Sequence, residues 1–223
     1  MSGVSIRLYK DSDYGVTREM FARGITEHTN KAFRHTLGIP HIWLFLFLTF
    51  LAPFIVIGSL FVSSLAITLA LLILWLLNRY MFTTYVQHCL QDDLLDIKKY
   101  YLKRDGYCFW VAESYGAVVG IVAATPSHRP GGESHMELKR MSVAKSHRGK
   151  GVAKALCRTV IDFAQARGCK AVVLETSRAQ TDAQRLYERI GFRVRKSFYA
   201  PMPPAKFLNF WILFYQYNIP TAR

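Results

Sequence analysis

The strongest constraint on this chain is an uncharged stretch, because residues 42–77 contain no Asp, Glu, Lys, Arg or His. Leu, Ile, Phe and Val dominate its 36 positions. One bilayer crossing takes about 20 apolar residues, so the stretch is too long for one straight helix and slightly short for two. Pro53 and Gly58 lie near its middle, where a helix bends or ends. The stretch predicts either a helical hairpin or one kinked, tilted membrane span.

The sequence on both sides of the stretch favours the hairpin. Residues 4–9 alternate like a strand, and apolar residues recur at helical spacing over residues 16–25. Further strand-like runs follow beyond residue 107. If the first strand joins that sheet, both ends of the stretch lie on one side of the membrane, and each half forms a helix about 27 Å long. The alternative is a single span that leaves residues 1–41 as an independent tail.

The charges that flank the stretch agree with this topology. Lys31 and Arg34 precede it and Arg79 follows it. Short basic flanks favour the cytosolic side of a membrane. The stretch begins too late for a signal peptide and has no small-residue cleavage site after a short apolar core. We expect an integral membrane protein with both ends of the stretch, and the domain that follows, on the cytosolic side.

Residues 142–153 form a second informative segment, in which an apolar run passes into a basic turn and then a helix. Gly149 and Gly151 let a bulky anion approach the backbone amides at the helix start, and Arg148 and Lys150 add positive charge. The spacing is neither that of a P-loop nor that of a dinucleotide fingerprint. The segment predicts a phosphate-binding turn, or more simply a basic helix start that uses glycines for its geometry.

Two motifs in this chain resemble those of the GCN5-related N-acetyltransferase (GNAT) superfamily. The turn Arg148-x-x-Gly151-x-Ala153 is similar to the superfamily motif that binds the pyrophosphate of acetyl-CoA. Residues 186–192, Leu-Tyr-Glu-Arg-Ile-Gly-Phe, resemble its second motif and follow at the superfamily's spacing. The resemblance implies acetyl-CoA as co-substrate, with no metal.

The order of the predicted elements is also that of the superfamily. Strand-like and helical patterns occur at residues 94–102 (a short helix), 108–113, 117–124 and 136–143 (strands), from about residue 152 to just before Gly168 (helix), and at residues 171–176 (strand), 181–191 (helix) and 207–217 (strand). The implied fold class is α/β (α+β), a mixed sheet flanked by helices with the apolar hairpin inserted after the first helix. We divide the chain into residues 1–35, the first strand and helix, residues 40–78, the membrane segment, and residues 79–220, the acetyltransferase core.

The resemblance also implies which residues hold the coenzyme. Superfamily members bind the acetyl carbonyl and the pantetheine arm through backbone amides at the end of the strand before the turn. Gln180 stands where many members have an Asn that contacts the coenzyme, so that contact either persists through a longer amide or is lost. The implied coenzyme-binding residues are Met141, Ser142, Val143, Arg148, Gly149, Lys150, Gly151, Val152, Ala153 and Gln180.

Acetyl transfer to an amine needs a proton donor for the departing thiolate. Tyr187 occupies the superfamily position whose hydroxyl lies near the coenzyme sulfur, which implies a general acid. The simpler alternative is a helix tyrosine that packs in the core.

The transfer also needs a base that keeps the attacking amine neutral. Glu137 shares strand parity with Met141 and Val143, so we expect its carboxylate on the face where the active site forms. A solvated strand glutamate is the alternative. His128, His135 and a water chain are weaker candidates for the base.

Charge and cysteine content limit the other partners. The formal net charge is +14, which suits an anionic coenzyme and anionic lipid headgroups. Nucleic acid is not expected, because the chain lacks zinc-finger spacing, a helix-turn-helix pattern and an RNA-recognition aromatic motif. The four cysteines show no paired spacing, which argues against a disulfide framework or a zinc site.

Nearly the whole chain resembles the camello-like, or N-acetyltransferase family 8, proteins of the superfamily. These proteins are anchored in the endoplasmic reticulum and neighbouring secretory membranes, so the resemblance implies an acetyl-CoA-dependent N-acetyltransferase in an endoplasmic reticulum or Golgi-proximal membrane. The expected acceptor is a small amine such as a cysteine S-conjugate. A lysine of membrane or secretory proteins, and a non-catalytic membrane adaptor that affects cell adhesion, are the alternatives. The apolar part of a small acceptor would lie against Phe207, Phe210, Trp211 or Phe214.

Overall fold

The structure is a computed structural model that describes residues 3–129 and 131–220. Seven strands form one sheet in the order β1-β2-β3-β4-β5-β7-β6. Only β4 and β5 run parallel, and the other neighbours are antiparallel. The sheet is therefore mixed, as predicted. The strands are β1 Val4–Leu8, β2 Cys108–Ser114, β3 Ala117–Pro126, β4 His135–Val143, β5 Ala171–Ser177, β6 Arg193–Tyr199 and β7 Trp211–Asn218.

Helices flank the sheet, and four of them lie between its first two strands in the sequence. Between β1 and β2 lie α1 Tyr14–Thr26, α2 Thr29–Leu37, α3 Pro40–Ile57 and α4 Leu60–Gln91. After β4 come α5 Val152–Ala166 and α6 Thr181–Ile190. Short 3-10 turns occur at Asp11–Asp13, Lys145–His147 and Pro203–Ala205, and a π-helix at Lys98–Leu102.

The first strand joins the sheet across the apolar segment. Val4 of β1 pairs with Ser114 of β2, and Leu8 pairs with Trp110. Arg7 strengthens this edge, because its Nη1 contacts Asp13 Oδ2 at 2.7 Å and its Nε contacts Glu113 at 2.7 Å. Residues 4–41, the described part of the predicted alternative tail apart from Gly3, are therefore not an independent tail.

Strands β2 and β3 are buried on both faces of the sheet, whereas the edge strand β6 is largely exposed. On the first face, which we call the α5 face, α5 and α6 cover a core that includes Leu156, Val160 and Phe192. On the second, the α1 face, α1 and the last turns of α4 cover a core that includes Phe21 and Ile121. A sheet that is covered on both sides has a rigid centre, so side chains at its strand ends are held in place.

The uncharged stretch forms a helical hairpin. α3 ends at Gly58, whose φ of 69° lets the chain turn, and Ser59 accepts a hydrogen bond from Val62 N at 3.4 Å as α4 begins. Both helices are long and apolar enough to cross a membrane. Their apolar side chains are largely exposed around the turn, for example Val56 at 83% and Phe61 at 78%.

Several element boundaries differ from the sequence prediction. The helix predicted over residues 94–102 is confined to the five-residue π-helix Lys98–Leu102. The last strand begins at Trp211 rather than at residue 207, because Pro203–Ala205 forms a 3-10 turn first. α2 was not predicted. The division of the chain into domains stays a prediction, and α4 continues through its boundary at residue 78.

Candidate active site

The sheet opens between its two parallel strands. Only His135, Met136 and Glu137 of β4 pair with β5. Beyond this point β4 stays paired with β3 up to Val143, and β5 stays paired with β7 up to Ser177, so the two strands diverge into a V-shaped opening. Backbone groups of β4 along this opening have no β5 partner and are available to a ligand.

A bulge in β4 decides which side chains face which side of the opening. Arg140 has a φ of 57°, and the pairing of β4 with β3 shifts beside it. Leu138 before the bulge and Val143 after it both lie in the core of the α5 face. Because neighbouring residues alternate, Glu137 lies on the α1 face. The predicted shared parity of Glu137 and Val143 is wrong, since the bulge adds one residue to the strand.

A buried ion pair holds the bulge. Arg140 donates from Nε and Nη2 to the two carboxylate oxygens of Asp93, each at 2.8 Å, and from Nη1 to the hydroxyl of Tyr85 at 2.7 Å. The hydroxyl of Tyr101 donates to the same carboxylate. The charged side chains are only 5% and 1% exposed. Tyr85 lies in α4 and Asp93 directly after it, so the network connects the end of the apolar hairpin to the strand beside the opening.

The glycine turn begins α5 next to this opening. Gly149 and Gly151 have φ of 76° and 85°. Gly151 is the N-cap of α5, and no side chain caps the helix start, so its first amides are free for an anion. The side chain of Val152 is buried at 1% exposure, and Ala153 packs against the same core. Residues 149–153 therefore present backbone amides to a ligand, and Lys150 is the residue among them that adds a polar side chain.

Arg148 contacts Val143 and Glu27, and the contact with Glu27 was not predicted from the sequence. Its Nε donates to the Val143 carbonyl at 3.0 Å, and its Nη2 contacts Glu27 at 2.7 Å. Lys145 lies 3.5 Å from the same carboxylate. Glu27 follows α1, and no local motif marks it. The neighbouring His28 is nearly buried, which lowers its pKa, and its Nδ1 has no hydrogen-bond partner within the described chain.

Tyr187 and Glu137 lie on opposite faces of the sheet. Tyr187 packs on the α5 face, with its ring 5.9 Å from that of Tyr215. Tyr215 pairs with Leu174, the first residue of β5 after its pairing with β4 ends. Burial raises the pKa of Tyr187, so its hydroxyl stays protonated at neutral pH. Glu137 is half-exposed on the α1 face, at the apex of the opening. A proton donor and a carboxylate thus flank the opening from two sides.

The remaining predicted residues have defined local contacts. The hydroxyl of Ser142 donates to the Met20 carbonyl at 3.1 Å, which leaves its backbone, with that of Met141, as the possible coenzyme contact. The Oε1 of Gln180 accepts from Thr176 Oγ1 and Ser177 N, each at 3.0 Å. Gln180 therefore stabilises the turn between β5 and α6.

The two candidate histidines lie at the start of β4 and in the loop before it. His135 is the first residue of β4. The Nε2 of His128 lies 3.0 Å from the hydroxyl of Tyr107, on the exposed surface.

The four aromatic residues proposed for the acceptor do not form one site. Phe207 packs against Phe45 of α3, and Phe210 against Phe82 of α4. Trp211 stacks on Tyr199 with ring centroids 4.1 Å apart. Phe214 lies under the guanidinium of Arg129, at 4.7 Å. Phe207 and Phe210 thus attach the catalytic sheet to the hairpin.

Comparisons with known proteins agree with this geometry. Residues 72–192 match the acetyltransferase (GNAT) family. The chain is 43% identical over 225 residues to "Probable N-acetyltransferase family 8 member 5" of Mus musculus, covering 100% of this chain and 98% of the relative. It is 40% identical over 222 residues to "Probable N-acetyltransferase camello" of Xenopus tropicalis, covering 99% and 100%. The chain therefore belongs to the GNAT acetyltransferases and, among them, to the camello-like N-acetyltransferase family 8.

A solved structure supports the fold. An acetyltransferase of the GNAT family from Staphylococcus aureus superposes with a TM-score of 0.57 at 18% identity, covering 97% of this chain and 99% of that one. The protein is an acetyl-CoA-dependent N-acetyltransferase.

The buried pair between Asp93 and Arg140 gives a testable expectation for stability. Replacing Asp93 by Asn leaves a buried guanidinium without its counter-charge, which costs about 3–5 kcal/mol of unfolding free energy. The double variant Asp93→Asn with Arg140→Met removes both charges and recovers much of that loss. Unfolding curves of the detergent-solubilised protein measure both. The matched control is Asp105→Asn, which breaks the exposed pair of Arg167 with Asp105, 3.3 Å apart, and should change the unfolding free energy little. Equal losses of unfolding free energy in Asp93→Asn and Asp105→Asn would contradict the structural role of the buried pair.

Proposed function

We propose that this enzyme transfers the acetyl group of acetyl-CoA to the primary amine of a small amphipathic molecule, such as a cysteine S-conjugate. The V-shaped opening carries the proposal, because it has a phosphate-binding turn at its wide end and acid and base candidates on its two faces. Coenzyme on the α5 side and acceptor on the α1 side meet at the bulge. The catalytic residues that we propose are Tyr187 and Glu137.

The proposed chemistry follows from this division. Glu137 accepts a proton from the ammonium form of the acceptor, and the nitrogen of the neutral amine then attacks the thioester carbonyl from the α1 face. The backbone amide of Met141, which has no partner residue in the β3–β4 register, stabilises the oxyanion. As the new nitrogen–carbon bond forms and the carbon–sulfur bond breaks, the thiolate leaves on the α5 face and takes the proton of the Tyr187 hydroxyl. The new amide nitrogen releases its surplus proton to water, and Tyr187 regains a proton from water.

The coenzyme is held by the opening and the turn. The pantetheine arm pairs with the free β4 backbone at Met141, Ser142 and Val143. The pyrophosphate binds the amides of residues 149–153 with the charges of Arg148 and Lys150. Pyrophosphate competes with Glu27 for the Arg148 guanidinium, so we propose that coenzyme binding releases the carboxylate of Glu27. Gln180 contributes by keeping the start of α6 in place.

The membrane anchor is the hairpin of α3 and α4. Many of its apolar side chains, such as Val56 and Phe61, are largely exposed, and a lipid bilayer would cover them. Because β1 and β7 belong to one sheet, both sides of the hairpin lie in one compartment. Acetyl-CoA supply and the basic flanks favour the cytosolic face of an endoplasmic reticulum or Golgi-proximal membrane.

One experiment tests the function directly. Acetyl-CoA turnover by the solubilised full chain is measured against cysteine S-conjugates, free amines and lysine peptides. We expect the highest kcat/KM for the S-conjugates. Preference for lysine peptides would make the enzyme a protein acetyltransferase, and binding of acetyl-CoA without turnover of any amine would indicate a non-catalytic adaptor.

The glycine turn can be tested by coenzyme affinity. Gly151→Asp places a carboxylate where the pyrophosphate approaches, so acetyl-CoA affinity should fall by tenfold or more. Isothermal titration measures the Kd. Gly116→Asp is the matched control, because Gly116 has a similar φ of 79° in the turn between β2 and β3. Unchanged affinity in a folded Gly151→Asp variant would remove the pyrophosphate assignment.

The acid and the base can be separated by kinetics. Tyr187→Phe keeps the ring and removes the proton donor, and Glu137→Gln keeps the shape and removes the base. Each should lower kcat by about 10²–10⁴-fold with little effect on acetyl-CoA Kd. Glu137→Gln should also alter the rise of rate with pH. An intact pH profile in that variant would assign the base to water or another residue.

The topology can be tested with glycosylation acceptors in microsomes. Acceptors appended to the two chain ends should stay unmodified, and protease should reach both ends without detergent. A long loop that carries an acceptor, inserted at Gly58, should be glycosylated if the hairpin crosses the bilayer. A glycan on only one end would establish an odd number of crossings and contradict the hairpin.

A further inference from the structure

A charged pair with an aromatic support lies on the α1 face near the opening. Arg129, in the loop between β3 and β4, forms an ion pair with Glu175 of β5. Its guanidinium lies 4.7 Å from the ring centre of Phe214 and 5.6 Å from that of Phe198. Phe214 pairs directly with Glu175 across β5 and β7. These four residues, which we call the Arg129 cluster, come from four different parts of the chain.

The Arg129 cluster lies beside the proposed base. Val173 is the β5 partner of Glu137, and Glu175 follows two residues later on the same face. Val172 and Leu174, which alternate with Val173 and Glu175 along β5, point to the opposite face and are buried in the core of the α5 face. Glu175 is therefore the next side chain along the acceptor side of the opening after the apex where Glu137 stands.

The pair has the properties of a recognition group rather than of a structural one. Its side chains are 44% and 34% exposed, and a pair that is so solvated contributes little to stability, about 0–1 kcal/mol. A guanidinium that stacks on aromatic rings is fixed in orientation and keeps the edge of its planar fork for a carboxylate. Fixed positive and negative charges side by side complement a ligand with the same two charges in the reverse order.

We propose that the Arg129 cluster is the acceptor head-group site and that it selects an amine with a carboxylate beside it, the head group of an α-amino acid. Arg129 binds the acceptor carboxylate, Glu175 attracts the ammonium group, and Phe214 and Phe198 support the apolar part. The amine then lies next to Glu137, which removes its proton. This inference rests on the proposed acetyl transfer to a small amine and names the residues that determine its specificity.

The test compares two acceptors that differ only in the carboxylate. S-benzylcysteine carries it, and S-benzylcysteamine does not. With the full chain in detergent, we expect wild type to prefer S-benzylcysteine in kcat/KM. Arg129→Gln should raise KM for S-benzylcysteine by tenfold or more, with less effect on kcat. The same variant should change KM for S-benzylcysteamine by less than twofold and leave the Kd of acetyl-CoA unchanged.

Arg167 provides the matched control. Its guanidinium lies 4.2 Å from the ring centre of Phe163 and pairs with Asp105, but Phe163 belongs to the α5 face. Arg167→Gln removes an equivalent stacked arginine away from the opening, so it should leave both KM values unchanged. Arg129→Lys should recover only part of the preference, because an ammonium group lacks the planar fork.

The outcomes distinguish this inference from the function on which it rests. If wild type acetylates amines but Arg129→Gln changes both acceptors equally or neither, the head-group assignment is wrong and the N-acetyltransferase function stands. If wild type binds acetyl-CoA and acetylates neither amine nor any other small amine, the proposed function and this inference both fail. Loss of preference in Arg129→Gln alone supports the assignment.

Discussion

The separation of β4 from β5 is the constraint on which the rest of this structure depends. Two parallel strands gain hydrogen bonds at every aligned position, so ending the pairing at Glu137 leaves backbone groups unsatisfied unless a ligand takes them. The bulge at Arg140 follows shortly after the last residues of β4 that pair with β5, and the buried pair with Asp93 holds it in place. Removing a charge from such a pair is costly, so the opening is a fixed property of the fold.

In the reaction that we propose, the opening divides the steps between the two faces of the sheet. The α5 face has the glycine turn and Tyr187, which suit the coenzyme and its leaving sulfur. The α1 face has Glu137 and the Arg129 cluster, which suit an amine acceptor. Because the bulge shifts strand alternation by one residue, Glu137 and Val143 lie on opposite faces. The amine can then attack from the α1 face and the thiolate can leave on the α5 face without any rearrangement of the chain.

The apolar hairpin is part of the catalytic fold. The last turns of α4 supply Tyr85 to the Arg140 network and cover the α1 face. Phe207 and Phe210, in the connection before β7, pack against α3 and α4. The same helix that is apolar enough to cross a bilayer thus supports the strand beside the opening. We therefore expect the orientation of the active site to be set by the orientation of the hairpin.

The sequence by itself predicted most of the order of elements, the glycine turn and, as one of two alternatives, the helical hairpin, because helical and strand periodicity, missing charge and glycine spacing are local signals. It also predicted Tyr187 as the acid through a family resemblance, and Glu137 as the base through that resemblance and strand parity. Only the tertiary structure decided that Glu137 faces the α1 side, since a positive φ at an arginine has no sequence signature. The same holds for Glu27 beside Arg148 and for the Arg129 cluster. Their members are far apart in the chain, and only the folding of the sheet brings their charges together.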